Sequence, residues 1–533
     1  MTTSEPLLSQ PRSRSSSGSR YEAIPTRFEI PEERRLISET DYEDNESLKG
    51  SSLEEEEIYE ERPLKFKVIA LLCVLSLAVG SHYAGHTLGA LKSTIKKSSV
   101  SLVNTILPIL GGVFIDTFGT SVGSILATSL IAIGNIFVAL STDLKSFAVM
   151  VIGRILYGIG SGTIVIVQMA ILCHWFKGKG LAIAVGIQIA MSRLSSFLAN
   201  LTVVPITKIT GFYGWAFWFS AFLCIISLII NITYVLLMRI LHEKLSTQEM
   251  MKIKQKRHFC PKKLLVFPTI YWIFVLLEFE LGSAWTSFLH IHTTNPHSYY
   301  RELVKNRWNC SDEVAAYNSS MAQFLPIFIS PFLGYFLDRF GNRSLFLIAS
   351  TFFLTISMYL LGFTLAFTPI IGMICFSISL SLGPVALMSS IPVLLPLDYI
   401  GTALGIVKSS SNIGSTIYDI FVGKLQDLDK GDYDMVMILY LGSSILAIIV
   451  STCLFIVSKN CYDGILDMRE DERKGYYEEK LKRYNHHNND DSENHGIMKR
   501  KQPSKRNYFY IGFFIGVLIL SWVLFFIFVI QQE

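Results

Sequence analysis

One short phrase occurs twice in this chain, 222 residues apart. Residues 112–119 read GVFIDTFG and residues 334–341 read GYFLDRFG, so that Gly, Phe, Asp, Phe and Gly coincide at one constant offset. A second pair, AVGI at 184–187 and ALGI at 403–406, repeats at an offset of 219. Self-similarity within apolar sequence predicts a duplicated bundle of membrane helices.

The amino-acid composition argues against a water-soluble domain. Half of the 533 residues are hydrophobic and only 17% are charged, which is too much apolar surface for a soluble chain to bury. The net charge of +4 is small and its cations lie in predicted loops and tails, which disfavours nucleic-acid binding. We find no phosphate-binding loop, nucleophile elbow or zinc-ligand spacing, so we expect neither an enzyme nor a bound cofactor or metal ion.

Twelve apolar segments follow one another in two sets of six, each about 20 residues or longer and able to cross about 30 Å of hydrocarbon. The sequence therefore predicts an all-α polytopic membrane protein with a 6+6 helix bundle. Its expected parts are a disordered cytosolic tail (1–64), an N-terminal six-helix half (65–238), a cytosolic basic linker (239–264), a C-terminal six-helix half (265–458), a second cytosolic tail (459–506) and a thirteenth transmembrane helix (507–533).

The distribution of lysine and arginine predicts how the bundle is oriented. Both residues are enriched in the linker and in the segment that precedes the thirteenth helix. This bias predicts a cytosolic N-terminus and a cytosolic linker. We expect the thirteenth helix to be an anchor beside the bundle, with a functional helix as the alternative.

The repeated phrase has a physical rationale at a helix–loop–helix junction. Its glycines allow close helix approach, and its carboxylate can accept hydrogen bonds from the N-terminus of a neighbouring helix. The first copy has Thr117 where the second has a cation, which predicts a weaker first latch. The expected gating residues are Gly112, Asp116 and Gly119 in the first copy and Gly334, Asp338, Arg339, Gly341 and Arg343 in the second.

These motifs resemble the signature loops of the major facilitator superfamily, between helices 2 and 3 and between helices 8 and 9. A pattern in predicted helix 4 is also similar to that superfamily: Arg154 is followed by glycine at every second position from Gly158 to Gly162. These glycines are expected to provide a flank for close packing around a structural Arg154. The resemblance covers roughly residues 65–457 and implies two six-helix halves that rock about a central cavity.

A finer resemblance points to the lysosomal dipeptide-transporting branch of the superfamily. WFKGK at 175–179, Arg193 and GTA at 401–403 carry it. Gly162 and Met388 stand where that branch has an acidic residue in helix 4 and a tryptophan in helix 10. Both departures lie where substrate is expected, so the solute is left open between a dipeptide and another small polar molecule.

Charged residues inside the predicted helices mark the candidate substrate site. Each would cost about 2.5–3.5 kcal/mol facing lipid, so we expect most of them to face protein or water. Glu280 lies on the opposite face of its helix from Glu278 and is expected to contact a neighbouring helix. For Arg193 and Lys408, a purely structural pairing is the alternative to ligand binding. The predicted substrate-binding residues are Arg193, Glu278, Lys408, Gln188 and Met388.

Two histidines, His82 and His86, share one face of predicted helix 1 near its outer end. Such a pair can titrate in an acidic compartment and serve as a coupling or pH-sensing group, with two ordinary hydrogen-bonded histidines as the alternative. A site with two cations and one carboxylate suits a zwitterion or an organic anion better than a cation.

Short motifs outside the helices predict the membrane in which the protein resides and a glycosylation site. Glu32 lies four residues before Leu36 and Ile37, which fits an acidic dileucine signal read by a sorting adaptor. This signal predicts a lysosomal or vacuolar membrane, with the plasma membrane as the alternative. Asn309, in the long loop between helices 7 and 8, is the expected glycosylation site.

The function predicted from the sequence is a secondary carrier or uniporter for a small polar organic solute, dipeptide-like or amino-acid-like, working by alternating access. The alternative is a transporter-shaped receptor or accessory membrane protein without flux. The expected partners are the solute, membrane lipid, a sorting adaptor at the N-terminal tail and, as a further possibility, an accessory membrane subunit.

Overall fold

The computed structural model describes the apolar part of the chain as a bundle of helices. The described residues are 64–90, 105–176, 180–243, 267–293, 308, 312–395, 397–428, 433–476, 479 and 505–532. The predicted N-terminal tail, most of the linker and most of the second tail therefore lie outside them, together with the sorting signal at Glu32, Leu36 and Ile37 and the glycosylation site at Asn309.

The helices are numbered so that α1 to α12 match the twelve predicted segments. They are α1a (Leu64–Leu77), α1b (Val79–Ala90), α2 (Leu107–Phe118), α3 (Thr120–Leu144), α4 (Phe147–Phe176), α5 (Leu181–Thr210), α6 (Gly214–Glu243), α7 (Thr269–Thr293), α8 (Asp312–Phe340), α9 (Arg343–Phe363), α10 (Pro369–Leu394), α11 (Ile400–Leu428), α12 (Asp434–Cys461) and α13 (Lys505–Gln532).

Ten helical stretches in the described part of the chain are long and apolar enough to cross a membrane. Helices α2, α8 and α11 are not among them: α2 is apolar but short, whereas α8 and α11 each have 29 residues and carry many polar side chains. All three pack across the boundary between the two halves. The polar faces of α8 and α11 therefore meet protein rather than lipid, which removes the need for a fully apolar helix.

The two halves repeat the same packing scheme. In the N-terminal half, α3 packs against α4 and α6, and α1b packs against α5. In the C-terminal half, α9 packs against α10 and α12, and α7 packs against α11. These are the same pairs displaced by six helices, so the all-α 6+6 bundle predicted from the repeated phrases is confirmed.

The halves meet through two equivalent helix pairs, α2 with α11 and α5 with α8. In the first pair, a Cβ added to Gly112 would overlap the carbonyl oxygen of Gly401, and one on Gly405 would overlap that of Pro108. In the second pair, Gly334 lies in the same way against Ala182. The two phrases that repeat in the sequence are therefore the two sides of one contact, which the chain makes twice.

Within the N-terminal half, glycine also sets the spacing between α3 and α4. A Cβ on Gly134 would lie 2.5 Å from the amide nitrogen of Tyr157, and one on Gly160 would lie 2.6 Å from the carbonyl oxygen of Ala127. A Cβ on Gly158, by contrast, would meet no atom within 4 Å. The expected close-packing flank therefore does not include Gly158, because helix positions two apart point about 200° away from each other.

Helix α13 lies against α11 with one face. Buried and half-buried residues recur on it every three or four positions, with further half-buried residues beside them at 510, 517, 522 and 524, and the other positions from 506 to 527 are exposed. This spacing is typical of a helix that packs through a single narrow stripe. The stripe consists of Asn507, Ile511, Phe514, Leu518, Ser521 and Phe525.

Close approach at the boundary predicts a difference between two glycines of the C-terminal half. Replacing Gly405 with Ala should destabilise the protein by about 1–3 kcal/mol, because the new methyl group would overlap the backbone of α2. Replacing Gly442 in α12 with Ala should be neutral or slightly stabilising, since a Cβ there meets nothing within 4 Å. Thermal unfolding of the purified variants would measure both, and an equal loss at the two positions would contradict the packing described.

Candidate functional site

The carboxylate of the first repeated phrase binds the N-terminus of a helix from the other half. Asp116, near the end of α2, accepts hydrogen bonds from the backbone N–H groups of Gly401 (2.9 Å) and Thr402 (2.7 Å) and from the Thr402 hydroxyl (2.5 Å). These bonds satisfy donors that have no partner inside α11, and the negative charge faces the positive end of that helix's dipole.

The second phrase makes the equivalent contact. Asp338, near the end of α8, accepts hydrogen bonds from the backbone N–H groups of Ala182 (3.0 Å) and Ile183 (2.8 Å) at the start of α5. Gly119 and Gly341, the last residues of the two phrases, adopt φ of 89° and 70°, a conformation that residues with a Cβ rarely take. We call the end of the bundle that holds both carboxylates the latch end.

The structure adds detail to one expectation about the latch and corrects another. Thr117 was expected to weaken the first copy: there the Thr402 hydroxyl supplements the two backbone bonds to Asp116, whereas the second copy has a cation beside Asp338, so the difference in strength stays a prediction. Arg339 was expected to join the second copy, but it is exposed, donates to the Tyr335 hydroxyl (2.9 Å) and lies over the ring of Phe340. The Arg339 guanidinium is thus engaged by its own helix rather than by the carboxylate.

Arg343, a buried cation, is the residue that lies beside Asp338 in place of Arg339. One of its nitrogens lies 4.0 Å from Asp338, and only 3% of the residue is exposed. Asp467 stabilises the same junction: it accepts hydrogen bonds from the backbone N–H (3.0 Å) and hydroxyl (2.5 Å) of Ser344. The segment after α12 therefore caps α9 and supports the loop that carries the second latch.

Further along the same helices, the structure brings three charged residues together. Arg193 on α5 and Lys408 on α11 are both half-buried, and Glu278 on α7 is 4% exposed. The charge of Lys408 interacts favourably with that of Glu278 and unfavourably with that of Arg193. At about 1.5 Å per residue, Arg193 lies about 16 Å and Lys408 about 10 Å beyond the first turns of their helices, away from the latch end.

The Glu278 carboxylate is held on one side and open on the other. The Ser411 hydroxyl, one turn beyond Lys408 on α11, hydrogen-bonds to it. Gly282 leaves the space this contact needs, because a Cβ there would lie 2.7 Å from Glu278 Oε1 and would overlap the Ser411 hydroxyl. Oε2 is buried and has no hydrogen-bond partner among the described residues. A buried carboxylate oxygen in this state is suited to accept a proton donor from a ligand.

Among the remaining predicted site residues, His82 is the one that the structure shows interacting with this group. His82 on α1b is half-buried and close enough to feel the charges of Arg193 and Lys408, and its Nε2 has no partner among the described residues. His86, one turn further, and Met388 on α10 are also half-buried. Gln188 on α5 is buried, and its amide donates to Gln168 on α4 (3.1 Å).

Arg154 lies apart from the charged group, in the packing between α4 and α1b. Its guanidinium lies 5.6 Å from the centre of the Tyr157 ring, and the Tyr157 hydroxyl donates to the carbonyl oxygen of Ser81 (2.7 Å). The Tyr157 hydroxyl thus ties α4 to α1b, and the structural role expected for Arg154 stays a prediction.

A second polar cluster lies inside the C-terminal half and was not predicted as a unit. Glu280, on the far face of α7 from Glu278, accepts hydrogen bonds from the hydroxyls of Tyr418 on α11 (3.1 Å) and Ser443 on α12 (3.4 Å). Nearby, the Ser287 hydroxyl donates to Asp419 (2.5 Å). The helical offset of Glu280 indicated its contact with other helices, but nothing in the sequence identified these partners.

Comparison with protein families identifies the family to which this helix bundle belongs. The model described as Major Facilitator Superfamily matches residues 69–301 and 299–533. The chain belongs to the Major Facilitator Superfamily. It is thus a multi-pass membrane protein of a transporter family, and the two latches lie at the junctions where the sequence resembles that superfamily.

Within the superfamily, the chain is similar to a set of curated transporters. The lysosomal dipeptide transporter MFSD1 of Mus musculus is 26% identical over 422 residues, which cover 74% of this chain and 86% of the relative. The transporter of the same name from Homo sapiens is 25% identical over 426 residues, covering 74% and 87%. This similarity agrees with the branch that the sequence motifs resemble.

Solved structures confirm the fold. The human organic anion transporter MFSD10 (TETRAN) aligns with a TM-score of 0.53 and 14% identity, covering 73% of this chain and 100% of that chain. The transporter FucP in its outward conformation aligns with a TM-score of 0.54 and 12% identity, covering 73% and 99%.

The two latches predict a reciprocal pattern of amide hydrogen exchange. In Asp338→Asn, exchange at residues 180–185 should rise about tenfold, because charge-assisted bonds to the Ala182 and Ile183 amides are lost. In Asp116→Asn, the rise should instead be largest at residues 400–404. Each variant serves as the control for the other. A rise of the same size at both sites in both variants would show that the carboxylates do not act on their own helices.

Proposed function

We propose that this protein is a secondary carrier or uniporter for a small polar organic solute that bears a carboxylate. The observation that carries the proposal is the placement of two half-buried cations on opposite halves, Arg193 on α5 and Lys408 on α11, where their charges interact. In a fold built from two halves that move against each other, a ligand held by both halves can couple its own binding to their movement.

The like charges of Arg193 and Lys408 give the site its mechanism. In the empty carrier they repel, which disfavours approach of the two helices at this depth. A substrate carboxylate placed between them replaces this repulsion with two attractive, charge-assisted contacts. Because one contact comes from each half, the bound anion stabilises the arrangement in which the halves close around it.

Glu278 adds selectivity for an amine. In the empty carrier its charge interacts with that of Lys408. When a substrate carboxylate engages Lys408, Glu278 loses this partner, and its open Oε2 can accept a hydrogen bond from a substrate ammonium group. The proposed substrates are therefore zwitterions of amino-acid or dipeptide size, which agrees with the dipeptide transport named for the MFSD1 relatives. Met388 and Gln188 complete the proposed site.

We propose that the latch contacts control which end of the bundle is open. With Asp116 and Asp338 bound to α11 and α5, the latch end of the bundle is closed. Release of both contacts would let the halves part there and close at the opposite end. We place the latch end on the cytosolic side, with the N-terminus, on the basis of the lysine and arginine bias. His82 and His86 are the proposed coupling or pH-sensing groups on the other side.

The proposed location is the lysosomal or vacuolar membrane. The dileucine signal at Glu32, Leu36 and Ile37 supports it, and the MFSD1 relatives carry the word lysosomal in their names. On this orientation Asn309 lies on the lumenal side and is the proposed glycan site. A sorting adaptor at the N-terminal tail and an accessory membrane subunit remain proposed partners.

Transport by purified protein in proteoliposomes tests the substrate site. Arg193→Ala and Lys408→Ala should each lower kcat/KM for dipeptides or amino acids by at least tenfold, because the carboxylate loses a charged ligand. Glu278→Gln should remove the preference for a free amine over its N-acetylated analogue while keeping uptake of the analogue. The matched control is Lys424→Ala, since Lys424 is exposed near the end of α11.

The same assay separates a carrier from a receptor. Solute-dependent thermal stabilisation without uptake by the wild-type protein would favour the receptor, and unchanged uptake in both cation variants would remove the proposed site.

The sorting signal is tested in cells. The double variant Leu36→Ala, Ile37→Ala should move the full-length protein from the lysosome or vacuole to the plasma membrane, because an adaptor reads this pair. Imaging beside a variant in which Leu7 and Leu8 are replaced provides the control, because this pair, in SEPLL at residues 4–8, is a poorer match to the same signal. Unaltered retention in the lysosome or vacuole would show that the address lies elsewhere.

A further inference from the structure

Helix α13 contacts both halves of the bundle, although it lies outside them. On the C-terminal half it packs along α11, and the ring of its Tyr510 stacks on Trp272 of α7, with centroids 6.0 Å apart and planes at 27°. On the N-terminal half, the indole Nε1 of Trp522 donates a hydrogen bond to the hydroxyl of Thr105 (3.0 Å). Thr105 is fully buried and lies two residues before α2.

The two contacts lie at opposite ends of the bundle. Trp272 lies near the start of α7, at the latch end, whereas Thr105 lies before the start of α2, at the other end. Tyr510 and Trp522 are separated by twelve residues, or about 18 Å of helix. Helix α13 therefore runs along α11 and reaches the N-terminal half at its second contact.

The residues on the packed stripe indicate that α13 packs specifically against the bundle rather than lying loosely beside it in the lipid. Asn507 is 6% exposed, Ser521 is fully buried and Phe525 is 7% exposed, whereas Phe509 and Phe513 on the outer face are more than half exposed. Polar groups facing the bundle are what holds membrane helices together in the absence of a hydrophobic driving force.

Movement between the halves must change the contact at Thr105. Because α13 packs along α11 and stacks on α7, it moves with the C-terminal half, while Thr105 moves with the N-terminal half. A hydrogen bond is lost when its donor and acceptor separate by more than a few tenths of an ångström beyond about 3.2 Å. Rocking that slides α2 against α11 therefore breaks the bond between Trp522 and Thr105.

We propose that α13 is an intramolecular brace of the gate: through Trp522 and Thr105 it joins the two halves at the end opposite the Asp116 and Asp338 latches, and it stabilises the state in which the latch end is closed. The Trp522–Thr105 bond and the two latch contacts are all formed when the latch end is closed. Opening the latch end therefore requires the loss of all three contacts. This role goes beyond the proposed transport and does not depend on which solute is carried.

Distances between spin labels on the two halves test the brace without any substrate. Labels at Phe118→Cys and Leu345→Cys report on the latch end, because both positions are exposed there, one in each half. The full-length protein would carry serine at its accessible native cysteines and Asp338→Asn, whose weakened latch brings the open state into measurable range. Adding Trp522→Phe should raise the ratio of open to closed latch end about threefold, the value expected for one hydrogen bond between membrane helices.

A mutant cycle separates the brace from a general loss of packing. Thr105→Val should raise the same ratio by a similar factor, and the double variant should exceed neither single variant, because one bond has been removed in each case. The matched control, Phe513→Leu on the exposed face of α13, should leave the ratio unchanged. An unchanged ratio in folded Trp522→Phe, or additive effects in the double variant, would show that α13 is a passive anchor.

Discussion

The interaction on which this architecture depends is the binding of a carboxylate to the N-terminus of a helix from the opposite half. Asp116 caps α11 and Asp338 caps α5. In each case the backbone N–H groups have no partner within their own helix, and at the second latch Arg343 also lies 4.0 Å from Asp338. The contact is therefore strong enough to close one end of the bundle and, being made of a few hydrogen bonds, weak enough to reverse.

The latch also fixes where the charged residues lie. Arg193 follows the capped turn of α5 and Lys408 follows the capped turn of α11, so both cations are carried on the same helices that the latch engages. Any displacement of α5 or α11 at the latch end is transmitted along a rigid helix to the level of these side chains. A single pair of helices thus connects the gate with the candidate site.

Much of the fold and of the latch could be predicted from the sequence, because these features depend on local sequence patterns. The repeated phrases indicated the duplication, the helix junctions and the carboxylates. The sequence could not show which helix each carboxylate binds, since Asp338 lies 156 residues from Ala182 and Asp116 lies 285 residues from Gly401. The phrase at 184–187 and 403–406 was the available signal, because Gly186 lies against Ser330 and Gly405 against Pro108, on the helices that carry the other repeated phrase.

Other features depend on neighbours that no motif encodes. The extra hydrogen bond from Thr402, the turn of Arg339 towards Tyr335, and the contact of Ser411 with Glu278 all arise from side chains brought together by packing. The polarity of α8 and α11 has the same origin: both were predicted as spanning segments, yet they are less apolar than the other long helices because both face the N-terminal half. The position of α13 follows from its stripe of buried residues only once α11 is in place.

The crossed arrangement of the two contacts has one consequence for the origin of such a chain. Each half supplies one carboxylate and one capped helix, and each binds the complementary element of the other. A six-helix protein that carried both phrases would need no partner other than a second copy of itself, since a twofold axis would form both contacts from identical residues. Fusion of two such copies would keep the geometry while freeing each contact to change alone, as Thr402 and Arg343 now show on their separate sides.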